Sequence, residues 1–360
     1  MGKEKVIIGM SGGVDSSVAA ALLLEQGYDV IGVTMKIWPE SLGHDKIREG
    51  GCCSLSAVDD ARRVADKLGI PYYVMNFQDI FEKTVVDYFI DEYQQGRTPN
   101  PCIACNKYVK FDALLKKAMA MDIHYVATGH YAKIAYDDAY KRYLLKKSVT
   151  AAKDQTYALY NLTQSQLAHI LMPLGNYHKE QTREIALKLG LSVASKPDSQ
   201  DICFVEDNNY ALFIKERTGK ETEKGYFVDT EGNILGNHQG IIHYTIGQRK
   251  GLGIAFGKPM YVISIDAKNN RIVLGEEGQQ YSKSLIAAEV NFIPFDCLES
   301  EKKIGAKVRY SAKEAQAVIR PYGDDKVEVV FDLPQRAVTP GQAVVFYDGD
   351  MVVGGGTILK

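Results

Sequence analysis

Short apolar runs alternate with longer segments of helical periodicity over roughly the first 130 residues. The apolar runs predict strands at 6–8, 30–34, 72–76 and 124–128. The segments between them predict helices at 18–24, 57–68, 79–93 and 107–121, and a further helix is predicted at 179–189. Strands separated by helices of this length are typical of βαβ units. The pattern therefore predicts an α/β region built on a parallel sheet.

The pattern changes near residue 225 to short β-branched runs separated by Gly, Asn and Asp. Turn residues then recur every ~8–12 positions, which is typical of small sandwiches and barrels. A Tyr-rich hairpin is predicted earlier, at 134–145, and the stretch 275–281 marks a boundary inside the β-rich half. We therefore expect an α/β domain, a small central mixed or β domain, and a C-terminal β-barrel. Their expected bounds are 1–206, 207–278 and 279–360.

Composition excludes few classes of function. The chain has 360 residues, of which 46% are hydrophobic and 24% charged, as in ordinary soluble proteins. Its formal net charge of -2 gives no sign of nucleic-acid binding, so any RNA contact would need a local basic face. No apolar run reaches the ~20 residues of a membrane helix, and the N-terminus lacks the apolar core of a signal peptide. We expect a cytoplasmic protein without a membrane partner.

The stretch 9–17, GMSGGVDSS, carries the strongest chemical signal. It joins a predicted strand to a helix, so its backbone N–H groups and the helix dipole would face an anion. Gly12 and Gly13 would let the backbone approach that anion closely. Asp15 would repel a phosphate unless Mg²⁺ lies between them. Hydroxyl donors would come from Ser11, Ser16 and Ser17.

This loop differs from the common P-loop because no Lys follows its glycines. A Gly-rich turn without any ligand is the alternative. SGGVDS instead resembles the pyrophosphate-binding loop (PP-loop) of the ATP-pyrophosphatases, which split ATP into AMP and pyrophosphate and form an adenylated intermediate. The resemblance implies an adenine nucleotide alpha hydrolase-like fold for the first domain.

The cysteines are the second signal, because structural disulfides are not expected in a reducing cytosol. Cys102 and Cys105 form a CxxC in RTPNPCIACN, a segment predicted as a Pro-stiffened loop between two helices. A lone CxxC suits half a zinc site, a redox pair or a thiolate nucleophile. Cys105 is predicted just before the helix at 107, whose dipole would favour the thiolate.

The other cysteines differ in their surroundings. Cys203 lies in the polar segment PDSQDICFV, where an exposed loop position favours a reactive thiol. Cys297 lies in a β segment and is interpreted as a packing residue. Cys52 and Cys53 lie in GGCCS, and their role stays open.

A series of segments together resembles one family, the bacterial tRNA 2-thiouridylases, which are tRNA-uridine 2-sulfurtransferases. In chain order they are GMSGGVDSS, GRTPNPCIACNKYVKF, ATGHYA, KDQTYALY, SKPDSQDICFV, HYTIGQRKGLGI and VTPGQAVVFYDGD. The resemblance runs from about residue 5 to the C-terminus. Other ATP-pyrophosphatases share the first segment but not the Asn-Pro…Cys-Asn loop or the Asp-Ile-Cys segment.

The resemblance implies ATP-dependent 2-thiolation of the wobble uridine of tRNA. The uracil C2 oxygen would attack the α-phosphate of ATP and release pyrophosphate. Cys203 would carry a persulfide sulfur from a donor protein that is fed by a cysteine desulfurase. Cys105 would be the nucleophile that releases this sulfur or closes a disulfide with Cys203. The residues implied to bind ATP are Gly9, Met10, Ser11, Gly12, Gly13, Val14, Asp15 and Ser16, with Met35 and Gly129 on the adenine side.

A second set of residues is implied to contact tRNA. Asn100, Pro101 and Cys102 match the segment at the target base. Further matching positions are His130, Lys153, Asp154, Gln155, Arg309, Tyr310 and Gln342. We add Lys133, Arg249 and Lys250 as phosphate contacts. Tyr-rich stretches could stack on flipped bases or simply pack strands together.

One position departs from the family. Some members have Asp after Asn-Pro, whereas this chain has Cys102, so a carboxylate proposed to act at the base is missing. Cys102, Cys105 and Cys203 would then form a three-cysteine set, which is what a [4Fe–4S] cluster with one labile iron needs. An iron–sulfur-dependent tRNA thiolase is therefore the alternative mechanism. Otherwise Cys102 is a spare thiol or a loop residue.

Two other functions are compatible with parts of the sequence. An amidating or ligating ATP-pyrophosphatase acting on small molecules explains 9–17 but not the loop cysteines. A non-catalytic RNA-binding or iron–sulfur sensor protein would use the nucleotide loop only for regulation, but no standard RNA-binding motif occurs in the sequence. Pyrophosphate release that depends on added tRNA separates thiolation from both.

Overall fold

The computed structural model describes residues 2–38, 55–198, 202–205, 209–254 and 257–360. The expectations for Cys52 and Cys53 lie outside these ranges. Within them, no helix is long and apolar enough to cross a membrane.

The first half of the chain forms the expected α/β region. Its elements are β1 (Lys5–Gly9), α1 (Val14–Glu25), β2 (Asp29–Lys36), α2 (Leu55–Leu68), β3 (Tyr72–Asn76), α3 (Gln78–Phe81), α4 (Asp87–Gln94), α5 (Pro101–Ala104), α6 (Leu114–Ala120), β4 (Tyr125–Ala127), β5 (Ala132–Asp137), β6 (Arg142–Lys147), α7 (Gln164–Leu167), β7 (Ile170–Leu171) and α8 (Lys179–Lys188). Two π-helical segments, Glu82–Val86 and Cys105–Ala113, join α3 to α4 and α5 to α6.

Five parallel strands form the sheet of this region, in the order β3-β2-β1-β4-β7. Alternate residues of β1 face opposite sides, because side chains alternate along a strand. Val6 and Ile8 pack with α1 and α8, whereas Ile7 packs in the core that contains Phe81 and Phe89. The strand order reverses between β2 and β4 around β1, and ligands of such sheets bind at the carboxyl ends of the strands there.

The rest of the chain is mostly β structure. Its elements are α9 (Tyr210–Thr218), β8 (Gly225–Val228), β9 (Ile234–His238), β10 (Tyr261–Asp266), β11 (Arg271–Gly275), β12 (Tyr281–Phe292), β13 (Lys302–Lys307), β14 (Ala315–Tyr322), β15 (Lys326–Arg336), β16 (Ala343–Asp348) and β17 (Met351–Ile358). Strands β8 to β11 form a small sheet in the order β10-β11-β8-β9. Strands β12 to β17 close into a six-stranded barrel, because β12 pairs with both β15 and β17. The three-part architecture predicted from the sequence is confirmed, while its exact bounds stay predictions.

The hairpin β5–β6 connects the α/β region to the barrel. It is the hairpin predicted from the Tyr-rich stretch, and its strands extend the barrel sheet, where Lys146 pairs with Met351 of β17. Leu144 and Leu145 of the hairpin share one hydrophobic core with Val344 and Val352 of the barrel. The barrel is therefore packed onto the α/β region, so its loops can complete a site there.

Candidate nucleotide and tRNA site

The loop after β1 is shaped by Gly12. Its φ of 66° lies in the left-handed region, and a Cβ at this position would lie 2.3 Å from the Ala57 carbonyl oxygen in α2. Conformation and space therefore both require glycine. Gly13 is the N-cap of α1 and offers no side-chain cap. The N-terminus of α1 thus has the form of a backbone anion site.

The three serines predicted as hydroxyl donors differ in burial and in the hydrogen bonds that their hydroxyl groups form within the loop. Ser16 and Ser17 are buried, and both donate to the Gly13 carbonyl oxygen, at 3.3 and 2.8 Å. Ser16 Oγ also accepts from the Ser11 backbone N–H at 3.2 Å. These two hydroxyls brace the loop, whereas Ser11 is exposed and its hydroxyl can reach a ligand.

The structure brings the two predicted adenine-side residues to this loop. A Cβ on Gly129 would lie 2.6 Å from the Ser16 backbone nitrogen, so the loop after β4 touches the start of α1. The methyl group of Met35 lies 3.7 Å from the place of a Cβ on Gly9. Met10 and Val14 are buried and support the loop from within.

Asp15 is held by a buried lysine that the sequence did not single out. Lys179 is only 7% exposed, and its Nζ lies 2.7 and 2.8 Å from the two carboxylate oxygens of Asp15. The Tyr131 hydroxyl donates to the same carboxylate at 2.8 Å. A basic residue in the first turn of a helix is unfavourable because it faces the positive end of the helix dipole. This unusual position of Lys179 is the sequence signal that could have indicated a special role.

The charges continue from Lys179 to the segment that precedes Cys203. Lys179 Nζ lies 2.7 Å from one oxygen of Asp198, and Lys153 Nζ lies 2.8 Å from the other. Burial pushes the pKa of Asp198 up, but the hydrogen bonds from Lys153 and Lys179 outweigh burial and hold that pKa below its ordinary value. Asp198 is therefore ionised at neutral pH and links the nucleotide loop to the Cys203 segment.

A second tether lies beside the first. Lys196 donates to the Gly12 carbonyl oxygen at 3.1 Å and pairs with Asp60 of α2 at 2.8 Å. The chain just before Cys203 is thus tied to the nucleotide loop at Lys196 and at Asp198. Neither tether was predicted, because Lys196 and Gly12, and Lys179 and Asp15, are more than one hundred positions apart in the sequence.

The residues predicted to bind Mg²⁺ or a [4Fe–4S] cluster are not arranged as metal ligands in this structure. Both oxygens of Asp15 accept from Lys179, so a cationic side chain occupies the place expected for Mg²⁺. Over the described ranges, no three His, Cys, Asp or Glu side chains are placed to hold a metal ion. Cys102, Cys105 and Cys203 therefore do not form the three-thiolate set that a [4Fe–4S] cluster needs.

The helix that carries the CxxC starts earlier than predicted. Pro101 is its first residue, and the Asn100 side chain caps it by accepting from the Ile103 N–H at 3.2 Å. Pro fits the first helical position and Asn is a favoured N-cap, so this segment is helix rather than loop. Cys105 was expected just before the helix but lies within the continuous helical segment, and Cys102, which is exposed, lies in the first turn. Cys105 starts the π-helical segment, a structure often found at functional sites.

Cys203 is less exposed than predicted because its neighbour Phe204 is anchored. The Phe204 ring is 5% exposed and lies 5.2 Å from Phe89 and 5.8 Å from Phe81, centroid to centroid. Cys203 and Cys105 are both partly buried, pack against the same hydrophobic core and form no disulfide. The packing role predicted for Cys297 is wrong, since this residue is exposed.

Gln342 lies on a barrel loop that docks on the segment before Asn100. Its side-chain amide donates to the carbonyl oxygens of Thr98 and Pro99, at 2.8 and 3.2 Å. The Thr98 N–H in turn donates to the Pro340 carbonyl oxygen at 2.9 Å. The position implied for tRNA contact therefore also orients the loop that leads into the CxxC helix.

The residues implied at 153–155 shape their own loop. The Asp154 carboxylate accepts from the backbone N–H groups of Ser148 and Thr156, at 2.8 and 3.2 Å. The Gln155 side chain accepts from the Tyr131 N–H at 2.9 Å. Lys153 extends towards Asp198, so it is the member of this group whose charge faces the nucleotide end.

The surroundings of His130 favour its neutral form. Its Nδ1 lies 2.7 Å from Thr128 Oγ1, and its ring packs 5.7 Å from the Phe111 ring, centroid to centroid. Burial, with a smaller effect of Lys110, holds the pKa of His130 well below its ordinary value. Its contact with RNA would therefore be a hydrogen bond rather than an ion pair.

The remaining RNA candidates lie on other surfaces. Tyr310 is 47% exposed and its ring meets that of Tyr157 edge to face at 6.1 Å. Arg249 and Lys250 are exposed on the central part of the chain, while Lys133 and Arg309 are half-buried.

Comparison with known families covers nearly the whole chain. The tRNA methyl transferase HUP domain matches residues 4–207, and the tRNA methyl transferase PRC-barrel domain matches 211–276. The Aminomethyltransferase beta-barrel domain matches 282–358. The NMN synthetase structure from Francisella tularensis aligns with a TM-score of 0.35 at 17% identity over 61% of this chain and 79% of that chain, a likeness too low to inform the function.

Curated relatives match over the full length. The tRNA-specific 2-thiouridylase MnmA of Acetivibrio thermocellus is 71% identical over 99% of this chain and 100% of its own. The protein of the same name from Clostridioides difficile is 63% identical over 99% of this chain and 98% of its own. The chain belongs to the family of the tRNA-specific 2-thiouridylases.

Proposed function

We propose that this protein replaces the C2 oxygen of a tRNA wobble uridine with sulfur and uses ATP to activate that oxygen. The observation that carries the proposal is the 71% identity to a tRNA-specific 2-thiouridylase over 99% of the chain. Two structural features support it: the anion site at the N-terminus of α1, and the two cysteine segments that pack on one core.

The nucleotide would bind at the carboxyl ends of β1 and β4. Its phosphates would lie on the N-terminus of α1, and Met35 and Gly129 would line the adenine side. The loop lacks a lysine of its own, but Lys179 brings an ammonium to Asp15. A bound polyphosphate would compete with Asp15 for this ammonium. Mg²⁺ would enter with ATP as part of the substrate, since phosphate oxygens with one carboxylate are a common environment for it.

Activation precedes sulfur transfer because the C2 oxygen of uracil is a poor leaving group. That oxygen attacks the α-phosphate, a C2–O–P linkage forms, and the α–β phosphoanhydride bond breaks to release pyrophosphate. The terminal sulfur of a Cys203 persulfide then bonds to C2, and AMP leaves with the electron pair of the C2–O bond.

Two thiols are needed to complete the transfer. The Cys105 thiolate attacks the γ sulfur of Cys203, which breaks the S–S bond to the transferred sulfur and forms a Cys105–Cys203 disulfide. If this attack comes before the reaction with C2, the released hydrosulfide attacks C2 instead. Both orders end in the same disulfide, which an external thiol must reduce. A persulfide sulfur-donor protein, supplied by a cysteine desulfurase, would reload Cys203.

The tRNA would lie across the α/β region and the barrel. The segment Asn100, Pro101 and Cys102 would face the target uridine, and Gln342 would hold this segment from the barrel side. Lys153, Arg309 and Tyr310 would contact the rest of the tRNA from either side of the junction between the two regions. The net charge of -2 makes such a local face necessary.

A reconstituted reaction tests the proposal. The protein is incubated with ATP, Mg²⁺, unmodified tRNA, a cysteine desulfurase with cysteine as the persulfide source, and a reducing thiol. Pyrophosphate is measured together with the nucleosides of the digested tRNA by mass spectrometry. We expect pyrophosphate release that requires tRNA and equals the 2-thiouridine formed. Release without tRNA would favour a small-molecule ligase, and tRNA-dependent release of pyrophosphate without any 2-thiouridine would contradict the proposal.

A further inference from the structure

Lys307 lies in a notch between two tyrosine rings at the end of β13. Its Nζ is 5.9 Å from the centroid of the Tyr157 ring and 5.7 Å from that of Tyr310. Tyr157 is buried and donates its hydroxyl to the Ala343 carbonyl oxygen at 2.7 Å, so this wall is fixed. Tyr310 is 47% exposed and forms the outer wall. The ammonium is therefore half-buried but can be reached from one side.

The charged groups that face Lys307 are already engaged elsewhere. Glu314 pairs with Lys147 at 2.6 Å, and Asp154 accepts from two backbone N–H groups. Within the part of the chain that the structure describes, Lys307 forms no ion pair, and the two rings are its cation–π contacts. A desolvated ammonium without a counter-ion is unfavourable, so an incoming anion would stabilise this arrangement.

The electrostatics of the notch agree with this argument. Burial is the main reason why the pKa of the Lys307 ammonium lies below its ordinary value, and Lys147 adds to the lowering. Asp154 and Glu314 oppose it without cancelling it. The notch thus favours an additional negative charge over the bare cation.

The position of the notch identifies the class of anion. Its outer wall is Tyr310, and its inner wall, Tyr157, follows the segment 153–155, so the notch adjoins two segments proposed for tRNA contact. A cation beside an exposed aromatic ring is the usual pairing for single-stranded RNA, where the cation holds a phosphate and the ring stacks on a base. We propose that Lys307 binds a backbone phosphate of the tRNA and that Tyr310 stacks on the neighbouring base. This inference rests on the proposed function.

The experiment measures tRNA binding as a function of salt. Lys307→Met removes the charge and keeps the apolar stem, and Lys307→Arg keeps the charge. Lys303→Met is the matched control, since Lys303 is an exposed lysine on the same strand. The dissociation constant for unmodified tRNA is determined for each protein between low and physiological salt. Nucleosides from the reconstituted reaction are analysed in parallel, and thermal unfolding confirms that each variant is folded.

The expected result is a specific loss in Lys307→Met. Its affinity falls about threefold to tenfold, and the slope of log affinity against log salt shrinks by roughly 0.7 to 0.9, the value for one lost phosphate contact. Lys307→Arg and Lys303→Met stay close to the wild type. If Lys307→Met unfolds, Lys307→Gln replaces it at a temperature at which it is folded.

Three outcomes would contradict one claim or the other. If the wild type thiolates tRNA but Lys307→Met keeps the wild-type affinity and salt slope, the notch is not a phosphate site and only this inference fails. An equal loss of tRNA affinity in Lys303→Met also overturns it, because the loss would then come from the change in net charge and not from a specific contact of Lys307. If the wild type neither binds nor thiolates tRNA, the proposed function fails and this inference fails with it.

Discussion

The proposed nucleotide end and the proposed tRNA face of this protein are built in different ways. At the nucleotide end, one contiguous stretch makes the loop, and buried charges fix it from behind through Lys179 and Asp198. The tRNA face is assembled from separate parts of the chain, with Gln342 and Tyr310 on the barrel and Asn100 on the α/β region. The first site therefore lies within the α/β region alone, whereas the second depends on how the barrel packs against that region.

This difference predicts how each region should respond to substitution. Changes at the nucleotide end should alter nucleotide binding or stability even without tRNA. Changes on the tRNA face should leave the nucleotide steps intact and appear only when tRNA is present. Substitutions of Cys105 or Cys203 should affect neither nucleotide binding nor tRNA binding and should lower only the transfer of sulfur.

The largest expected effect is at the cysteines. Cys203→Ser and Cys105→Ser should each lower 2-thiouridine formation by at least roughly 10³-fold, because a hydroxyl can neither carry a persulfide nor resolve one. Pyrophosphate release in the presence of tRNA should persist for the first turnover. Cys297→Ser, an exposed cysteine of the β-rich half, is the control and should react like the wild type. Wild-type rates in both variants would rule out the two-thiol mechanism.

Lys179→Met should be the most destabilising change at the nucleotide end. It leaves the partly buried carboxylates of Asp15 and Asp198 close together without their shared cation, which should lower the free energy of unfolding by about 3 kcal/mol. Adding Asp198→Asn should restore part of the loss in denaturant unfolding. Lys188→Met, at the exposed end of the same helix, is the control. Equal stability of the two lysine variants would show that the buried network contributes nothing.

Gly12→Ala should weaken nucleotide binding with or without tRNA. A Cβ would lie 2.3 Å from the Ala57 carbonyl oxygen, and the residue would have to keep a left-handed backbone conformation. The loop must therefore move, which should cost about 2 kcal/mol of binding free energy. Gly13→Ala is a demanding control, since Gly13 has a φ of -102° and its nearest Cβ contact is at 3.4 Å. Calorimetric titration with a non-hydrolysable ATP analogue should separate the two. Similar affinities would contradict the loop geometry.

Gln342→Ala should affect only the reaction with tRNA. Two hydrogen bonds to the carbonyl oxygens of Thr98 and Pro99 are lost, and kcat/KM for tRNA should fall about fivefold, equivalent to about 1 kcal/mol. The affinity for nucleotide should not change. Gln335→Ala is the control, because the side-chain amide of Gln335 donates to the Leu333 carbonyl oxygen of its own strand. A matching loss of nucleotide affinity would mean that the two sites are not separable.

The smallest effect concerns acid stability and is absent at neutral pH. Because the folded protein holds the pKa of His130 below 6.5, the unfolded chain binds the proton more readily, and stability falls as the pH drops through that range. His130→Gln removes this contribution, so its stability should fall less between pH 6.5 and 5, by on the order of 1 kcal/mol. Thermal unfolding at several pH values measures the difference. Parallel curves for both proteins would show that His130 titrates normally.

The sequence was most informative where the signal is local. The strand, the glycines and the helix start of 9–17 are neighbours, so the loop could be predicted from its own residues, as could the β-rich second half. The start of the CxxC helix was placed too late because Pro101 was interpreted as a helix breaker, although Pro is also the favoured first residue of a helix. Lys179 and Lys307 were missed for another reason, because their partners come from distant segments. The first-turn position of Lys179 could have marked it, whereas Lys307 has no such local signal.

The central claim is that ATP activates the C2 oxygen of a tRNA uridine for replacement by sulfur. A tRNA carrying ¹⁸O at the C2 position of the wobble uridine tests it directly, with the fate of the label followed by mass spectrometry. The account predicts that the ¹⁸O appears in the phosphate of AMP, in an amount equal to the 2-thiouridine formed. Unlabelled AMP together with 2-thiouridine, or labelled water without labelled AMP, would contradict it.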